Sequence, residues 1–343
     1  MNRFWTLPGA PSGPWPDPAD YRLNEAPVPA AAAGQALART IYVSLDPYQW
    51  GYQKRGAAAP GGACHARTVG QVVESQLPGF AAGDFVFCTS GWAEYGLFGE
   101  GMDRPAYMIP RRLDPQIGPI SLAVGVLGML GLTAWSGMSL LAAPQKGETA
   151  VVSAASGGVG QIAGQLAKIA GARVVGVAGR EEKCRFVVDE LGFDACVSHL
   201  SPNLAAELAA ACPGGVDVYF ENVGGAVFGA VLPLFNPGAR MTICGLIAHY
   251  GETGDARAAL KAKGAEVFAE RQVSVRDLFV GDFVAGHEAE FLRHMAPLVA
   301  SGAVKYREDI SEGIEAVPAA FARMMRGGNF GKTLVRVSPD PTL

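Results

Sequence analysis

The sequence contains few of the residues that bind metals or form disulfides. Its 343 residues include six cysteines and five histidines, and no C-x-x-C pair occurs. The spacing does not match that of zinc ligands, and so few cysteines in a chain of this length argue against a disulfide framework. We therefore expect no bound metal ion.

Charge is also scarce. Charged residues make up 17% of the chain, the formal net charge is −4, and the longest basic cluster is the Arg111-Arg112 pair. Proteins that bind nucleic acids usually carry a basic face, so we expect no nucleic-acid partner. Hydrophobic residues make up 49% of the chain, which is enough for a sizeable core and excludes a disordered chain.

One stretch without charge has to be weighed as a membrane span. Residues 115–145 contain no charged side chain and exceed the roughly 18 residues that a membrane-spanning helix needs. Glycines, prolines, serines and threonines interrupt the stretch, so we interpret it as a buried segment at a domain junction. The first 18 residues lack the apolar run of a secretory signal. We expect no membrane partner and a cytoplasmic location.

The hydrophobic pattern changes along the chain, and the length suggests two domains. In the first third, β-branched and aromatic runs predict an all-β region with strands at 38–45, 68–74 and 84–88. After residue 148, apolar strands alternate with helical periodicity, which predicts an α/β fold with a doubly wound parallel sheet of the Rossmann type. The strands are predicted at 149–153, 173–178, 194–197, 216–220 and 240–244, and the helices at 159–170, 183–191, 204–211, 255–271, 290–300 and 314–325. A final strand at 333–337 is predicted to pair with the N-terminal β region.

A glycine-rich turn joins the first of these later strands to its helix. Residues 155–160 read Ala-Ser-Gly-Gly-Val-Gly, one residue away from the G-x-G-x-x-G motif of dinucleotide-binding proteins. Small residues allow the backbone to approach a pyrophosphate, and the helix N-terminus offers free N–H groups and positive potential. Because a strand precedes the motif and a helix follows it, we predict a dinucleotide site rather than a merely tight turn.

The end of the second strand distinguishes NADP from NAD. NAD sites usually carry an acidic residue about 20 positions after the motif, where it bonds the ribose 2′-hydroxyl. Here Gly179 is followed by Arg180 and then by Lys183, and a guanidinium and an ammonium suit a 2′-phosphate. The start of a helix explains the acids Glu181 and Glu182. We therefore predict NADPH or NADP as the cofactor.

The sequence lacks the residues of two common active sites for hydride transfer. Short-chain reductases need a lysine four residues after a tyrosine, and none of the nine tyrosines has one. Cys, His and Glu do not lie at positions usable for a catalytic zinc. A hydride-transfer enzyme built on this chain would therefore polarise its substrate through hydroxyl or N–H donors.

With these motifs, the chain resembles a known family over nearly its whole length. The matching stretches are VSLDPY at 43–48, GVLGMLGLTAW at 125–135, the segment 153–179, EKC and DELGFD within 182–194, VDVYFENVGG at 216–225, ICGLIAHY at 243–250 and NFGKTLVRV at 329–337. The chain is similar to the zinc-independent medium-chain dehydrogenase/reductases, and among them to the leukotriene/prostaglandin reductase and curcumin reductase group, the NADPH-dependent alkenal/one double-bond reductases. The resemblance implies a mostly-β GroES-like substrate domain at 1–122 and 307–343, an NADP-binding Rossmann domain at 123–306, and a homodimer.

The resemblance also implies the residues of the site and the reaction. The cofactor-binding residues would be Thr133, Ser156, Gly157, Gly158, Val159, Gly160, Gly179, Arg180, Lys183, His199, Asn222, Cys244, Gly245, Leu246, Tyr250, Phe279, Val280 and Asn329. Tyr48 and Tyr250 would face the substrate as catalytic residues, or either could be a packing aromatic. The implied reaction is hydride transfer from NADPH to the β-carbon of an α,β-unsaturated aldehyde or ketone. A hydroxyl of Tyr250 or of the nicotinamide ribose would stabilise the enolate, and solvent or a donor would protonate the α-carbon.

The sequence departs from the family on the substrate side. Gln49 and Trp50 replace Met-Arg, His249 replaces a common Gln, and the segment 251–272 is unlike its relatives. We interpret the first pair and the segment as signs of a specialised substrate. His249 is a candidate proton donor, or else an ordinary surface or core histidine. A quinone reductase, an allylic alcohol dehydrogenase using NADP, and a non-catalytic NADPH-binding protein are the alternative functions.

Overall fold

The computed structural model describes residues 1–56, 62–102 and 105–343. The chain divides into two compact units: unit 1 comprises residues 1–128 and 308–343, and unit 2 comprises residues 129–307. The first part of unit 1 contains β1 (Asn2–Thr6), β2 (Arg22–Ala26), β3 (Gln35–Ser44), α1 (Tyr48–Lys54), β4 (Thr68–Ser75), β5 (Phe85–Cys88), β6 (Tyr95–Gly99), β7 (Arg111–Leu113) and short 3-10 helices at Pro18–Asp20 and Ile120–Val124.

Unit 2 alternates helices and strands. It contains α2 (Met129–Trp135), β8 (Thr149–Ser153), α3 (Gly160–Ile169), β9 (Arg173–Ala178), α4 (Glu181–Arg185), β10 (Ala195–Ser198), α5 (Leu204–Ala211), β11 (Val216–Glu221), α6 (Gly225–Val231), β12 (Phe235–Ile243), α7 (Ala256–Glu270), β13 (Ser274–Asp277) and α8 (Gly281–Ala300). Shorter turns of π-helix lie at Ser136–Ala142 and Phe186–Glu190, and of 3-10 helix at Leu232–Leu234 and Ile247–His249. The chain then returns to unit 1 with β14 (Glu308–Glu312), a 3-10 helix at Ile314–Ala316, α9 (Val317–Met325) and β15 (Lys332–Arg336).

The strands of unit 1 form one large sheet and one small one. The large sheet has the order β14-β15-β3-β4-β5-β7, β6 also pairs with β3, and β1 pairs with β2 separately. β15 runs antiparallel to β3, with Leu334 opposite Ser44. The predicted return of the last strand to the N-terminal β region is therefore confirmed.

Unit 2, which is described throughout, is built on a sheet of six parallel strands in the order β10-β9-β8-β11-β12-β13. Numbered from the first strand of the unit, this is 3-2-1-4-5-6, the order of the doubly wound Rossmann fold. The predicted fold class, a Rossmann-type sheet with a separate mostly-β domain, is confirmed. Val151, Val175 and Tyr219 are fully buried at the centre of the sheet, as expected for strands covered on both faces.

Three elements differ from the sequence predictions. The first third is not all-β, because it contains helix α1. This helix has seven residues and no side-chain cap at its N-terminus. Its Tyr, Trp and Gly residues favour a helix only weakly, so its stability comes from burying Gln49, Trp50 and Gln53. In addition, α8 begins at Gly281 rather than at residue 290, and β12 begins at Phe235 rather than at residue 240.

The charge-free stretch is divided among short helices. It contains the 3-10 helix Ile120–Val124, α2 and the π-helix Ser136–Ala142, and it passes from unit 1 to unit 2 after Gly128. Ile120, Val124 and Leu132 are buried within it. The prediction of a buried, interrupted segment at a domain junction is thus confirmed. In the described ranges, the helices are all too short or too polar to cross a membrane.

Candidate functional site

The strand order of unit 2 defines where a ligand binds. From β8 the chain proceeds to β9 and β10 on one side, and it then crosses to β11, β12 and β13 on the other. In open α/β sheets, ligands bind at the carboxyl ends of the strands where this direction reverses. The crevice therefore lies between the ends of β8 and β11.

The loop after β8 is a tight turn of small residues. Ala154 has a left-handed φ of 50°. A Cβ on Gly157 would lie 3.1 Å from the carbonyl oxygen of Ala154, and one on Gly160 would clash with that carbonyl, so the turn packs closely on its own backbone. Ser156, Gly158 and Val159 lie in the same turn. At the start of α3, the N–H groups of Gln161 and Ile162 donate to the carbonyl oxygens of Gly157 and Val159, and the positive end of the helix dipole faces this turn.

A basic pocket lies at the end of β9. A Cβ on Gly179 would lie 3.4 Å from Nε2 of His199 and 3.9 Å from Cδ of Lys183, so the three residues converge. Lys183 is buried. Burial and the charge of Lys183 lower the pKa of His199, which keeps its ring neutral. Arg180 is different, because 70% of its side chain is exposed and its Nη1 lies 3.9 Å from Glu182.

Asn222 is fixed at the end of β11 by Ser153, the last residue of β8. Its Nδ2 donates to the Ser153 carbonyl oxygen at 2.7 Å, and its N–H donates to the Ser153 hydroxyl at 2.7 Å. The hydroxyl in turn donates to Oε1 of Glu221 at 2.7 Å. The two strands that border the crevice are thus joined by a buried polar network.

The loop after β12 lies against the end of β11. The N–H groups of Cys244 and Gly245 both donate to the carbonyl oxygen of Glu221, at 2.9 and 3.1 Å. A Cβ on Gly245 would lie 3.4 Å from the hydroxyl of Tyr250, and Leu246 is buried beside them. Burial raises the pKa of Tyr250, so its hydroxyl keeps its proton at neutral pH.

His249 does not present a free ring nitrogen. Its Nε2 accepts from the N–H of Gly225 at 3.1 Å, and its Nδ1 lies 2.9 Å from Oε2 of Glu252. A ring that accepts at Nε2 carries its proton on Nδ1, where the carboxylate holds it. The geometry therefore favours a role for His249 in shaping the loop over its candidate role as a proton donor.

The remaining predicted residues of unit 2 are Thr133, Phe279 and Val280. Phe279 and Val280 follow β13, where Phe279 is 52% exposed and Val280 is buried. The N–H of Leu278, the residue before them, donates to the Ile243 carbonyl oxygen at 3.0 Å, next to Cys244. The hydroxyl of Thr133 donates within its own helix to the carbonyl oxygen of Met129, at 2.6 Å. The roles of these residues at the cofactor stay predictions.

Tyr48 is the centre of an aromatic and basic cluster in unit 1. Its hydroxyl lies 3.0 Å from Nε2 of His65. The ring of Tyr52 meets Tyr48 edge-on at 5.3 Å, and the guanidinium of Arg67 lies 4.9 Å from the centre of the Tyr48 ring. Burial raises the pKa of Tyr48 well above its usual value, an effect that Arg67 opposes. At neutral pH, Tyr48 is therefore a neutral hydroxyl.

A buried ion network lies next to Tyr48 and is centred on Asp46, two residues earlier in the chain. Asp46 lies 2.9 Å from Nη2 of Arg67 and 2.8 Å from Nζ of Lys332, and it accepts from the Ser44 hydroxyl at 2.6 Å. Burial alone would raise the pKa of Asp46, but the two cations and the hydroxyl hold it well below its usual range. The network ties β3, β4 and β15 to the start of α1, where Tyr48 lies.

The two residues after Tyr48, at which the sequence differs from the family, are core residues. Gln49 and Trp50 are fully buried. Nε2 of Gln49 donates to the Ser44 carbonyl oxygen and Nε1 of Trp50 to the Pro14 carbonyl oxygen, both at 2.8 Å. Their burial argues against direct contact of either side chain with a substrate, and the hypothesis of a specialised substrate stays a prediction. Asn329, also in unit 1, donates from Nδ2 to the Gly331 carbonyl oxygen at 2.8 Å.

Sequence reasoning missed three residues of these clusters. Glu221 had a signal, because it is an acid at the end of an otherwise apolar strand. His65 and Arg67 had none, because their relation to Tyr48 depends on the pairing of β3 with β4. Within residues 1–56, 62–102 and 105–343, no group of three or more His, Cys, Asp or Glu side chains is placed to hold a metal ion.

Comparisons with known proteins agree over nearly the whole chain. Residues 158–300 match a family model described as a zinc-binding dehydrogenase, and residues 3–103 match one described as the N-terminal domain of oxidoreductase. The chain is 41% identical to the NADPH-dependent curcumin reductase of Escherichia coli (strain K12), across 99% of this chain and 98% of that protein. It is 33% identical to prostaglandin reductase 1 of Rattus norvegicus, across 97% and 98%.

Comparison with solved structures indicates the same family. The crystal structure of CurA in complex with NADPH from Vibrio vulnificus superimposes with a TM-score of 0.85 at 36% identity, across 98% of this chain and 100% of that one. The chain therefore belongs to the medium-chain dehydrogenase/reductase family, in the group that contains curcumin reductase and prostaglandin reductase.

Proposed function

We propose that the protein reduces the carbon–carbon double bond of an α,β-unsaturated aldehyde or ketone with NADPH as the hydride donor. The observation that carries the proposal is the convergence of Gly179, Lys183 and His199 at the end of β9, the strand next to β8 and its glycine-rich loop. The 41% identity to an NADPH-dependent curcumin reductase across almost the full length supports the same reaction class.

The residues present fit NADPH. The small residues of the turn 155–160 and the N-terminus of α3 would form a cradle for the pyrophosphate, because a backbone without bulky side chains can approach it closely. Lys183 and the neutral ring of His199 suit a 2′-phosphate, because the ammonium supplies charge and the ring supplies a hydrogen bond. Asn222, fixed by Ser153, and the loop 244–250 would border the ribose and nicotinamide.

Bound in this cradle, NADPH supplies the hydride that forms the new C–H bond at the β-carbon. The π electrons then move to the carbonyl oxygen, and the Tyr250 hydroxyl donates a hydrogen bond to the enolate. Tyr48 is a second hydroxyl for the substrate, and either it or solvent supplies the proton that the α-carbon takes up. Both tyrosines hold their protons at neutral pH because burial raises their pKa values.

The roles of the two units and the oligomeric state of the protein are also part of the proposal. Unit 2 would bind the cofactor, and unit 1 would contribute the substrate side through Tyr48. A homodimer is supported by β13, an edge strand whose outer side could pair with a second copy. A cytoplasmic location is supported by six cysteines that are all thiols, as reducing compartments keep them. Light scattering after gel filtration and cell fractionation test these two points.

The experiment for the reaction follows NADPH oxidation against enals, enones, quinones and saturated ketones, with NADH in parallel. Turnover of enals or enones with NADPH, and much slower turnover with NADH, is the expected result. Oxidation with quinones alone would identify a quinone reductase. Tight NADPH binding without turnover of any compound would identify a non-catalytic binding protein and refute the proposed reaction.

A further inference from the structure

A carboxyl group is buried at the end of a central strand of the unit 2 sheet, next to the proposed cofactor crevice. It belongs to Glu221, the last residue of β11, whose side chain is 0% exposed. Its Oε1 accepts from the Ser153 hydroxyl and from the N–H of Val223, both at 2.7 Å. Its Oε2 accepts from the Tyr219 hydroxyl at 2.7 Å. The backbone of Gly224 also donates to the carboxyl group.

These donors favour the ionised form of the group. The Ser153 oxygen already accepts from the N–H of Asn222, so its own proton points to Glu221. Backbone N–H groups can only donate. Burial raises the pKa of Glu221 above its usual value, and the donors reduce that rise without reversing it. Because these donors are all neutral, they stabilise the negative charge without cancelling its field.

Glu221 lies beside the loop that the proposed function assigns to the nicotinamide half. Its carbonyl oxygen accepts from the N–H groups of Cys244 and Gly245, so the residue that carries the carboxyl group is bonded directly to the start of that loop. Burial raises the pKa of the Cys244 thiol to about 12, and Arg257, whose guanidinium donates to the Cys244 carbonyl oxygen at 3.0 Å, opposes this rise.

We propose that the Glu221 carboxylate stabilises the positive charge that the nicotinamide ring carries in NADP⁺, and so makes the bound NADPH a stronger hydride donor. The inference rests on the proposed function, because it needs a nicotinamide at the loop 244–250. A buried charge in a region of low dielectric acts over longer distances than an exposed one. Glu221 is thus an electrostatic positioning residue that acts without touching the substrate.

The test compares the affinities for the two cofactor forms. Dissociation constants of NADPH and NADP⁺ are measured by calorimetry for the wild type and for E221Q, whose amide occupies the same volume. The ratio Kd(NADP⁺)/Kd(NADPH) is expected to rise about tenfold in E221Q. For a two-electron couple, a tenfold change corresponds to a rise of about 30 mV in the potential of the bound cofactor.

The matched control is Glu221→Asp, which keeps a carboxylate at this position. Its ratio is expected to stay near the wild-type value, whereas Tyr219→Phe removes one donor to the carboxyl group and should raise the ratio less than E221Q does. Equal weakening of both cofactor forms in E221Q, or an equal change of the ratio in E221D, would overturn the proposal. If E221Q does not fold, the double variant E221Q/Y219F removes the hydroxyl that its amide would meet, and the comparison is then with Y219F. A wild-type protein that binds neither form would instead refute the proposed function.

Discussion

The hydroxyl of Tyr48 and Nε2 of His65 are 3.0 Å apart, although Tyr48 lies on helix α1 and His65 on the segment that leads into β4. The contact orients the phenol, and the guanidinium of Arg67 near the ring face restricts it further. When Nε2 of His65 carries the proton and donates to the phenol oxygen, the hydroxyl keeps its own proton for a substrate, and such a preorganised donor stabilises a developing negative charge.

Removing this hydroxyl should slow the reaction and leave the affinity for the cofactor unchanged. We expect Tyr48→Phe to lower kcat/KM for an enal by about 10- to 100-fold, because a donor to the substrate is lost. The Kd of NADPH should not change, since Tyr48 belongs to unit 1. Tyr52→Phe is the control, as it keeps the Tyr48–His65 contact. Equal rates for Y48F and the wild type would make Tyr48 a packing aromatic.

Lys183 and Arg180 should contribute unequally to cofactor choice. We expect Lys183→Ala to raise the Kd of NADPH by about 10- to 100-fold and to leave the Kd of NADH nearly unchanged, because a charged hydrogen bond to the 2′-phosphate is lost. Arg180→Ala should have a smaller effect, because that side chain is 70% exposed and faces Glu182. A larger effect from Arg180→Ala would show that the exposed guanidinium determines the preference for NADPH over NADH.

The glycine-rich loop should not tolerate a methyl group at Gly160. A Cβ there would clash with the Ala154 carbonyl and lie 2.8 Å from its carbon. We expect Gly160→Ala to lower the melting temperature and to weaken NADPH binding, because the loop has to move. Gly286→Ala is the matched control: the space around Gly286 on α8 is open, and alanine favours a helix. Thermal unfolding with and without NADPH measures both effects.

Trp50 should matter for stability rather than for substrate choice. Its side chain is fully buried and bonded to Pro14. We expect Trp50→Ala to cost about 3–5 kcal/mol of the free energy of unfolding, as large-to-small substitutions in a core do. Urea denaturation measures the loss, and the relative rates on an enal panel should match those of the wild type. A changed panel profile with unchanged stability would restore the pocket interpretation.

Asp46 should make the protein sensitive to acid. Its pKa in the folded state lies below the unfolded value of about 3.9. Its stabilising contribution is therefore complete above the unfolded pKa and is lost as the pH falls through the folded pKa. We expect Asp46→Asn to cost about 3–5 kcal/mol at pH 7, because Arg67 and Lys332 lose their shared carboxylate.

Denaturant titrations from pH 7 to pH 3 test this prediction. The wild type should lose stability toward acid more steeply than D46N. Glu312→Gln is the control, because its ion pair with Arg336 is largely exposed. Parallel curves for D46N and the wild type would mean that Asp46 carries no such contribution.

The sequence allowed much of unit 2 to be predicted from periodicity. β8, β9 and α5 have the predicted bounds, because β8 and β9 are continuous runs of buried, mostly apolar residues, and Leu204 and Leu208 recur at helical spacing in α5. Helix α8 was predicted only in its second half, since Gly281 and Gly286 disfavour a helix in the first half. The buried residues of α8, Phe291 and Met295, both lie in its second half, so the first half has no stripe of buried residues that a local pattern could reveal.

The site was predictable where one segment of chain forms it. The glycine-rich loop and Lys183 lie within a single βαβ unit, so local spacing was enough to find them. The surroundings of Tyr48 were not predictable, because His65 and Arg67 come from the segment before β4, and Lys332, the partner of Asp46, comes from β15. Only the sheet of unit 1 brings these two segments to the start of α1. Local patterns contain no information about such pairings.

The pairing of β15 with β3 also has a consequence for biosynthesis. Unit 2 is one continuous segment, so all of its residues are translated before the segment 308–343. The sheet of unit 1, in contrast, remains incomplete until β15 has been translated and has joined β3. In the nascent chain, β6 can already pair with residues 35–39 of β3, but residues 42–44 keep an open edge throughout the synthesis of the intervening unit. A chaperone that protects strand edges would act in that interval.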